Sequence, residues 1–546
     1  MSCARSEIRT SLAKHLLLWQ FLFSSFPVES CLEQRICENL NAEIVSGTIT
    51  GLDEAVGYLT WTFFARRVAA NPTYYGAKSS SNEDVEEFLW SFASKTLERL
   101  RESGCIRFDG TVVTASFLGR AASSYYLLHE TPRQMLLGVR EARRMIEQFD
   151  DEATNKMVDA STQTFCPLTG SMRLNEIAAA WLLYVVCSTH EFDDHPVRHN
   201  EEFLNRDLSE QVSWGADPSS LLSTVDSGVS VRHSHNIEVF QDPHTKCFLL
   251  IQAYLERVKL PISDFVNDTK GVIENLPRLL AALAFIAKNE SIDSQTTCGL
   301  ELQTQVLRTR QLVATRSFVN HNTLLQLPGV GIEMAQYLSR AEQIRKRRQG
   351  QTEGTINTLA TLRMLSQKEA SSLLQDAWRH SRTRRPKRRD EGTPNYSMSR
   401  SIQSMLDTLY SLPLIKVQSC DIKNRSSKEA VNDECHVSLV FEINREKPGK
   451  AFDNTVDNSN EDDQISKLQP VHSMTILLGT IRGRALLASE QLTVNARFGS
   501  WTQSKELIFE WRPGTPVERK NHDLLSLRIV YDDVRGMDWE MLISVP

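Results

Sequence analysis

"DEAVGYLTWTFFARRVAANPTYYG" (Asp53–Gly76) is the stretch from which the fold begins to be legible. Asp53 is expected to cap a helix, because its side chain can accept from a free backbone N–H in the first turn. Asn71-Pro72 is expected to end that helix. Tyr58, Trp61, Thr62, Phe64 and Ala65 fall on one helical face. A second helix is predicted in "NEDVEEFLWSFASKTLERLRESG" (Asn82–Gly104). "CIRFDGTVVTAS" (Cys105–Ser116) then predicts a hairpin turning at Asp109-Gly110. Two helices followed by a β-wing predict a winged helix over residues 51–130.

Working outward, residues 1–50 are too few for a domain; Ser30–Ile49 reads as an amphipathic helix leading into an extended piece. Residues 131–320 predict a helical bundle. "PHTKCFLLIQAYLERV" (Pro243–Val258) and "DTKGVIENLPRLLAALAFIAK" (Asp268–Lys288) carry apolar residues at helical spacing. Pro277 is expected to start or kink the second of these helices. Residues 321–395 hold "LLQLPGVGIEMAQYL" (Leu324–Leu338), whose Pro-Gly-Val-Gly joins two helical segments. That shape is either a hairpin that holds a nucleic-acid backbone or a packing corner, since both need glycine where φ is positive. Ser366 and Glu369 form a capping-box pattern, and "RHSRTRRPKRRDEGTP" (Arg379–Pro394) reads as a polar linker.

From about residue 413 the period changes to two. Strands are predicted at Ile415–Ile422, Val437–Ile443, Met474–Gly479, Leu507–Trp511, Leu525–Tyr531 and Trp539–Val545, which suggests a β-sandwich over 413–546. The acidic, asparagine-rich stretch Glu446–Gln469 is expected to be a disordered loop. The fold class is therefore multidomain α+β.

Composition excludes some functions. The 546 residues are 41% hydrophobic and 24% charged with a net charge of −6, so nucleic acid could be held only by local patches. The 10 cysteines form no CxxC pair, which argues against a zinc ribbon or disulfide framework and for reduced thiols. "KHLLLWQFLFSSFPVES" (Lys14–Ser30) has the outline of a signal peptide, but it contains Gln20 and is too short to span a bilayer.

"HEFDDHPVRHNEEF" (His190–Phe203) gathers His190, Glu191, Asp193, Asp194, His195, His199, Glu201 and Glu202. Pro196 breaks any common helix face, so capping and mutual pairing explain it better than a metal does. Asp433-Glu434-Cys435-His436 spells a helicase DExH box. A magnesium-binding aspartate must end a buried strand, whereas here the strand follows, and no GxxxxGK[ST] loop is present. No catalytic residue is expected. Arg340, Arg345, Lys346, Arg347 and Arg348 follow the corner, and Arg379, Arg382, Arg384, Arg385, Lys387, Arg388 and Arg389 follow the capping-box helix. Both groups could bind phosphates; for the second, a nuclear-import signal or a linker is the better reading.

Several segments together resemble one family. "FPVESCLEQRICENLNAEIVSGTI" (Phe26–Ile49) and "YLTWTFFARRVAANPTYYG" (Tyr58–Gly76) resemble the passage from the second RecA-like motor domain of Ski-like double-cassette helicases into their winged helix. "LGRAASSYYLLHETPRQM" (Leu118–Met135) is similar to the entry into their SEC sixty-three module, and residues 191–211 and 243–287 resemble its helical bundle. The resemblance implies that 1–50 is a motor remnant and that 413–546 is an immunoglobulin-like, fibronectin type III sandwich. It also implies that 268–288 is a ratchet helix touching a translocating strand, with Lys270 and Arg278 as phosphate contacts unless they pair with carboxylates such as Glu274 or Asp268. Gly329 and Gly331 would allow backbone approach, and Arg345, Lys346 and Arg347 would meet phosphates.

Both motor domains are missing, with every ATP motif, through a truncated gene model or because the piece works beside another chain. ATP and magnesium would belong to those domains, so the chain itself implies no cofactor and no activity alone. Expected partners are single-stranded RNA or DNA and the motor or other subunits of a nuclear or ribosome-associated complex, without a membrane. The alternative is a protein-interaction platform that never touches nucleic acid. Nucleus or cytoplasm follows as the location.

Overall fold

The computed structural model describes residues 28–150, 166–167, 172–219, 221, 237–293, 297–348, 358–383, 394–425, 433–446, 472–481, 484–494, 498–511 and 524–544. It divides into two compact units between His129 and Glu130. The stretches Lys14–Pro27, Arg384–Thr393 and Lys447–Gln469, with the signal-peptide, linker and disordered-loop readings placed on them, lie outside the described residues.

In the first unit the expected helix from Asp53 is two helices. α1 (Ile36–Ser46) precedes α2 (Leu52–Thr60) and α3 (Phe63–Ala70). The break comes from Thr62, whose hydroxyl donates to Leu59 O at 2.6 Å and accepts from Ala65 N at 3.4 Å, capping α3. The shared face therefore does not form: Phe64 and Ala65 are buried while Trp61 is 89% exposed. Asp53 is not the cap either. Gly51 holds that position with extended backbone, and Glu54 reaches back to Thr50 N. Proline does stop the chain where expected, since α3 ends at Ala70 and Pro72 opens the single turn α4 (Pro72–Tyr75).

α5 (Asn82–Glu102) leads into β1 (Ile106–Phe108) and β2 (Val113–Ala115), an antiparallel pair. Asp109 Oδ1 accepts from Thr111 N at 3.0 Å and Val112 N at 2.8 Å, fixing the turn. α6 (Phe117–Ser124) follows. Ile36, Leu40, Ile44 and Ile49 bury in the same core as Leu59, Phe64, Leu97 and Ile106, so residues 36–49 have no core of their own. The chain crosses closely at Gly119, where a Cβ would lie 2.2 Å from Cys105 O.

The second unit begins with helices. They are α7 (Thr131–Asp150), α8 (Met172–Cys187), α9 (Glu201–Gln211), α10 (Pro243–Glu256), α11 (Ser263–Asp293) and α12 (Gly299–Ala314). α11 does not start at Pro277 but runs through it. Val272, Leu276, Leu279, Leu280, Leu283 and Ile286 are all buried on both sides of the proline. That apolar burial offsets the lost backbone hydrogen bond. The two-residue strand β3 (Cys166–Pro167) lies between α7 and α8 in sequence.

The corner at Leu327–Val330 is a turn closed by Val330 N donating to Leu327 O at 3.2 Å. Gly329 has φ +80° at the position after proline, as a type II turn requires. A 3₁₀ turn (Thr323–Gln326) enters it in place of the expected α-helix, and α13 (Ile332–Arg348) leaves it. α14 (Leu359–Arg363), α15 (Gln367–Thr383) and α16 (Pro394–Ser411) follow. Ser366 and Glu369 exchange both capping-box bonds at the start of α15.

Two small antiparallel sheets complete the unit. β4 (Leu414–Arg425), β5 (Asp433–Arg445) and β8 (Gly499–Trp511) form one in that order. The other runs β3, β10 (Trp539–Ser544), β9 (Leu524–Tyr531), β6 (His472–Thr480), β7 (Leu486–Val494). Leu439, Phe441 and Ile443 from one sheet share an apolar core with Ile476, Leu478 and Leu527 from the other, and with Leu324, Leu338, Met405 and Leu409 of the preceding helices. Asp433 opens β5 rather than ending a strand. Glu301 on α12 joins the helices to the sheet by accepting from Arg528 on β9 at 2.7 Å, and Arg528 also donates to Glu540 at 3.0 Å.

Candidate nucleic-acid interface

α11 has one face that the bundle does not cover. Asn267, Lys270, Gly271, Glu274 and Asn275 are exposed along its first half, while Asp268, Thr269, Val272 and Leu276 are buried behind them. Lys270 has no hydrogen-bond or ion-pair partner among the described residues. Arg278, two turns further on, is engaged. Its Nη2 donates to Glu191 Oε2 at 2.9 Å and to Asn275 Oδ1 at 3.3 Å. This carboxylate partner lies in another element, 87 residues away in sequence.

Besides its apolar face, a charge cluster pins the first half of this helix. The Lys246 ammonium on α10 is fully buried and donates to Pro196 O, Glu201 Oε2 and Asp268 Oδ2, each at 2.7 Å. Arg198 donates to Asp268 at 2.7 and 3.1 Å and to Glu201 at 2.9 Å. Burial alone would raise the Asp268 pKa, but Arg198 and Lys246 outweigh it and hold it at about 2. Two members of the acidic, histidine-rich loop, Glu201 in this cluster and Glu191 against Arg278, thus bear on the position of α11.

Elsewhere in that loop, His190 and Asp193 pair at the surface. His190 Nδ1 meets Asp193 Oδ2 at 2.8 Å, and His244 Nε2 meets Asp193 Oδ1 at 3.2 Å. Among the described residues no three histidine, cysteine or carboxylate side chains are grouped to hold a metal.

The glycines of the corner differ. A Cβ at Gly329 would lie 3.1 Å from Met405 Cε, whereas one at Gly331 would meet nothing within 4 Å. Arg345, Lys346 and Arg347 lie on the last turns of α13. Arg340, earlier on the same helix, is exposed, and Arg379 on α15 pairs with Asp376 at 3.7 Å.

A cavity of about 530 Å³ lies between α8, α12, the 319–323 loop and the β9–β10 turn. Its polar wall is occupied internally. Arg535 donates to Ser317 Oγ at 2.9 Å, Phe318 O at 2.6 Å and His321 O at 3.2 Å. Asn175 accepts from Gln305 at 2.8 Å and Arg308 at 3.0 Å. Burial, with Arg308 nearby, lowers Arg535 to about 10. The cavity is a polar joint between helices and sheet.

Sequence reasoning did not single out Lys246 or Arg198, or give Glu191 its partner. Lys246 carried a usable signal. It shares a helical stripe with Leu249, Leu250 and Ala253, and a charge on an apolar stripe needs a buried partner.

Comparison with known proteins agrees with this architecture. Residues 161–544 match the Sec63 Brl domain and residues 29–110 a winged helix-turn-helix domain. The chain belongs to the Sec63 Brl domain family. It is 34% identical over 285 residues to the DExH-box ATP-dependent RNA helicase DExH14 of Arabidopsis thaliana, covering 52% of this chain and 11% of that protein. It is 31% identical over 313 residues to human activating signal cointegrator 1 complex subunit 3, covering 57% and 12%. It is 34% identical over 282 residues to the RQC trigger complex helicase SLH1 of Saccharomyces cerevisiae, covering 51% and 12%. The chain thus aligns with only about an eighth of each relative's length. Among the described residues no helix is long and apolar enough to cross a membrane.

Proposed function

We propose that this chain is the non-motor cassette of a Ski-like helicase, guiding single-stranded nucleic acid along the open face of α11 and binding protein partners through its β region. The observation that carries the reading is Lys270. It is exposed and, among the described residues, unpaired, on a helix whose opposite side is locked into the bundle. A lysine so placed can meet a phosphate without breaking any existing bond. Gly331, and the basic end of α13 at Arg345, Lys346 and Arg347, would extend the path. The two antiparallel sheets and their common core support an immunoglobulin-like, fibronectin type III layout for the partner-binding part. ATP and magnesium would act on motor domains outside these residues, and RNA helicase relatives favour RNA over DNA, in nucleus or cytoplasm.

Binding of the chain to a labelled single-stranded oligonucleotide across a salt series tests this. Affinity should fall steeply with salt and should drop in Lys270→Glu. Absence of binding at low salt would instead favour a protein-interaction platform without nucleic-acid contact. One observation supports that second reading: the open face of α11 is nearly neutral, with Glu274 on it and Glu191 against Arg278.

A further inference from the structure

We infer that Glu191 is a gate on the α11 interface, making the Arg278 contact to phosphate conditional and quickly reversible. This rests on the reading that α11 faces a nucleic-acid strand. Glu191 stands in a 3₁₀ turn (His190–Phe192) between α8 and α9. Its side chain is 9% exposed and lies 2.9 Å from the Arg278 guanidinium, itself 31% exposed. Its other oxygen accepts from Thr131 at 3.4 Å. The carboxylate is thus nearly buried with Thr131 behind it, and the partly exposed arginine lies on its other side.

A phosphate approaching Arg278 meets a guanidinium already neutralised. To gain the arginine it competes with Glu191, and the displaced carboxylate stays close, nearly buried and of the same sign as the phosphate. Lys270, two turns away, carries no such opponent. The interface therefore has one unconditional cation and one gated cation. A strand that must slide needs contacts that release easily, and the gate supplies release without removing the charge.

The test uses the full chain and a labelled single-stranded oligonucleotide of uniform sequence, with affinity measured from low to moderate salt. Glu191→Gln should tighten binding about threefold to tenfold, the range of one released ion pair. It should also steepen the salt slope by about 0.7, one further phosphate neutralised on a single strand. The gain should vanish when Arg278→Gln is added. Glu191→Asp, which keeps the charge but shortens the reach, should tighten binding by a smaller factor and guards against a folding defect in the first variant. If Lys270→Glu weakens binding while neither Glu191 variant changes affinity or slope, the gate is overturned and the interface stands. If Lys270→Glu has no effect in either background, the interface is overturned and the gate with it.

Discussion

The Lys246 ammonium lies 2.7 Å from Asp268 Oδ2, and the lysine is fully buried. Asp268 is two residues from Lys270, so the same ion pair that anchors α11 sets where its exposed lysine stands. Lys246→Met would leave Glu201 and Asp268 with only Arg198 as counter-charge. Removing one member of a buried pair costs about 3–5 kcal/mol, and the urea midpoint of the second unit should fall accordingly. Adding Glu201→Gln should restore part of the loss, because the unpaired carboxylate is then gone. Equal midpoints for the single and double variants would show that lost packing, not charge, sets the cost.

Acid should loosen the joint between helices and sheet. Burial alone would raise the Glu301 pKa, but Arg528 and Arg308 more than reverse that and hold it at about 2, well below an ordinary glutamate. A depressed carboxylate stabilises the fold above its unfolded pKa, and that contribution disappears as pH falls from about 4.5 toward 2. The shift corresponds to roughly 3 kcal/mol for this fully buried group. Thermal unfolding followed over that range should show a steeper decline for the wild type than for Glu301→Gln, which starts lower and has less to lose.

Local signals made the elements legible more readily than their partners. The Asp109-Gly110 turn, the Ser366–Glu369 capping box and the 3.6 spacing of α10 and α11 each depend on a few adjacent residues, and all are present. Some elements escaped, among them α6, the two-residue β3 inside the stretch read as a helical bundle, α16 and β7. α16 hides its Ile402, Met405, Leu406 and Leu409 spacing among serines next to a basic linker, and β7 interrupts its alternation with Ser489 and Glu490. The split of the first helix depended on one threonine choosing to cap. The site is less legible because its decisive pairs are far apart in sequence: Arg278 and Glu191 are separated by 87 residues, and no periodicity encodes such a meeting.

Alkaline pH should weaken the first unit. Burial disfavours the charged His129 ring, but hydrogen bonds involving Cys37 and Glu38 outweigh it and hold its pKa at about 9. The geometry agrees, with Nδ1 3.1 Å from Glu38 Oε1. A histidine raised above its unfolded value of about 6.5 contributes fully below that pH and loses its contribution as pH climbs through 9. Melting of the first unit should fall across that interval. His129→Gln should remove the pH dependence while lowering stability at neutral pH.

The Pro-Gly-Val-Gly corner separates its two roles glycine by glycine. Gly329 needs positive φ and sits against Met405, so Gly329→Ala should destabilise the second unit by about 1–3 kcal/mol from backbone strain alone. Gly331 opens onto empty space at the start of α13. Gly331→Ala should therefore cost less than about 1 kcal/mol. If a nucleic-acid backbone passes there, the added methyl group should still weaken oligonucleotide binding, because it occupies the space the backbone would use. Gly331→Ala with unchanged stability and unchanged affinity would make the corner a packing device at both glycines. Weaker affinity at unchanged stability would make it a packing corner at Gly329 and a contact at Gly331.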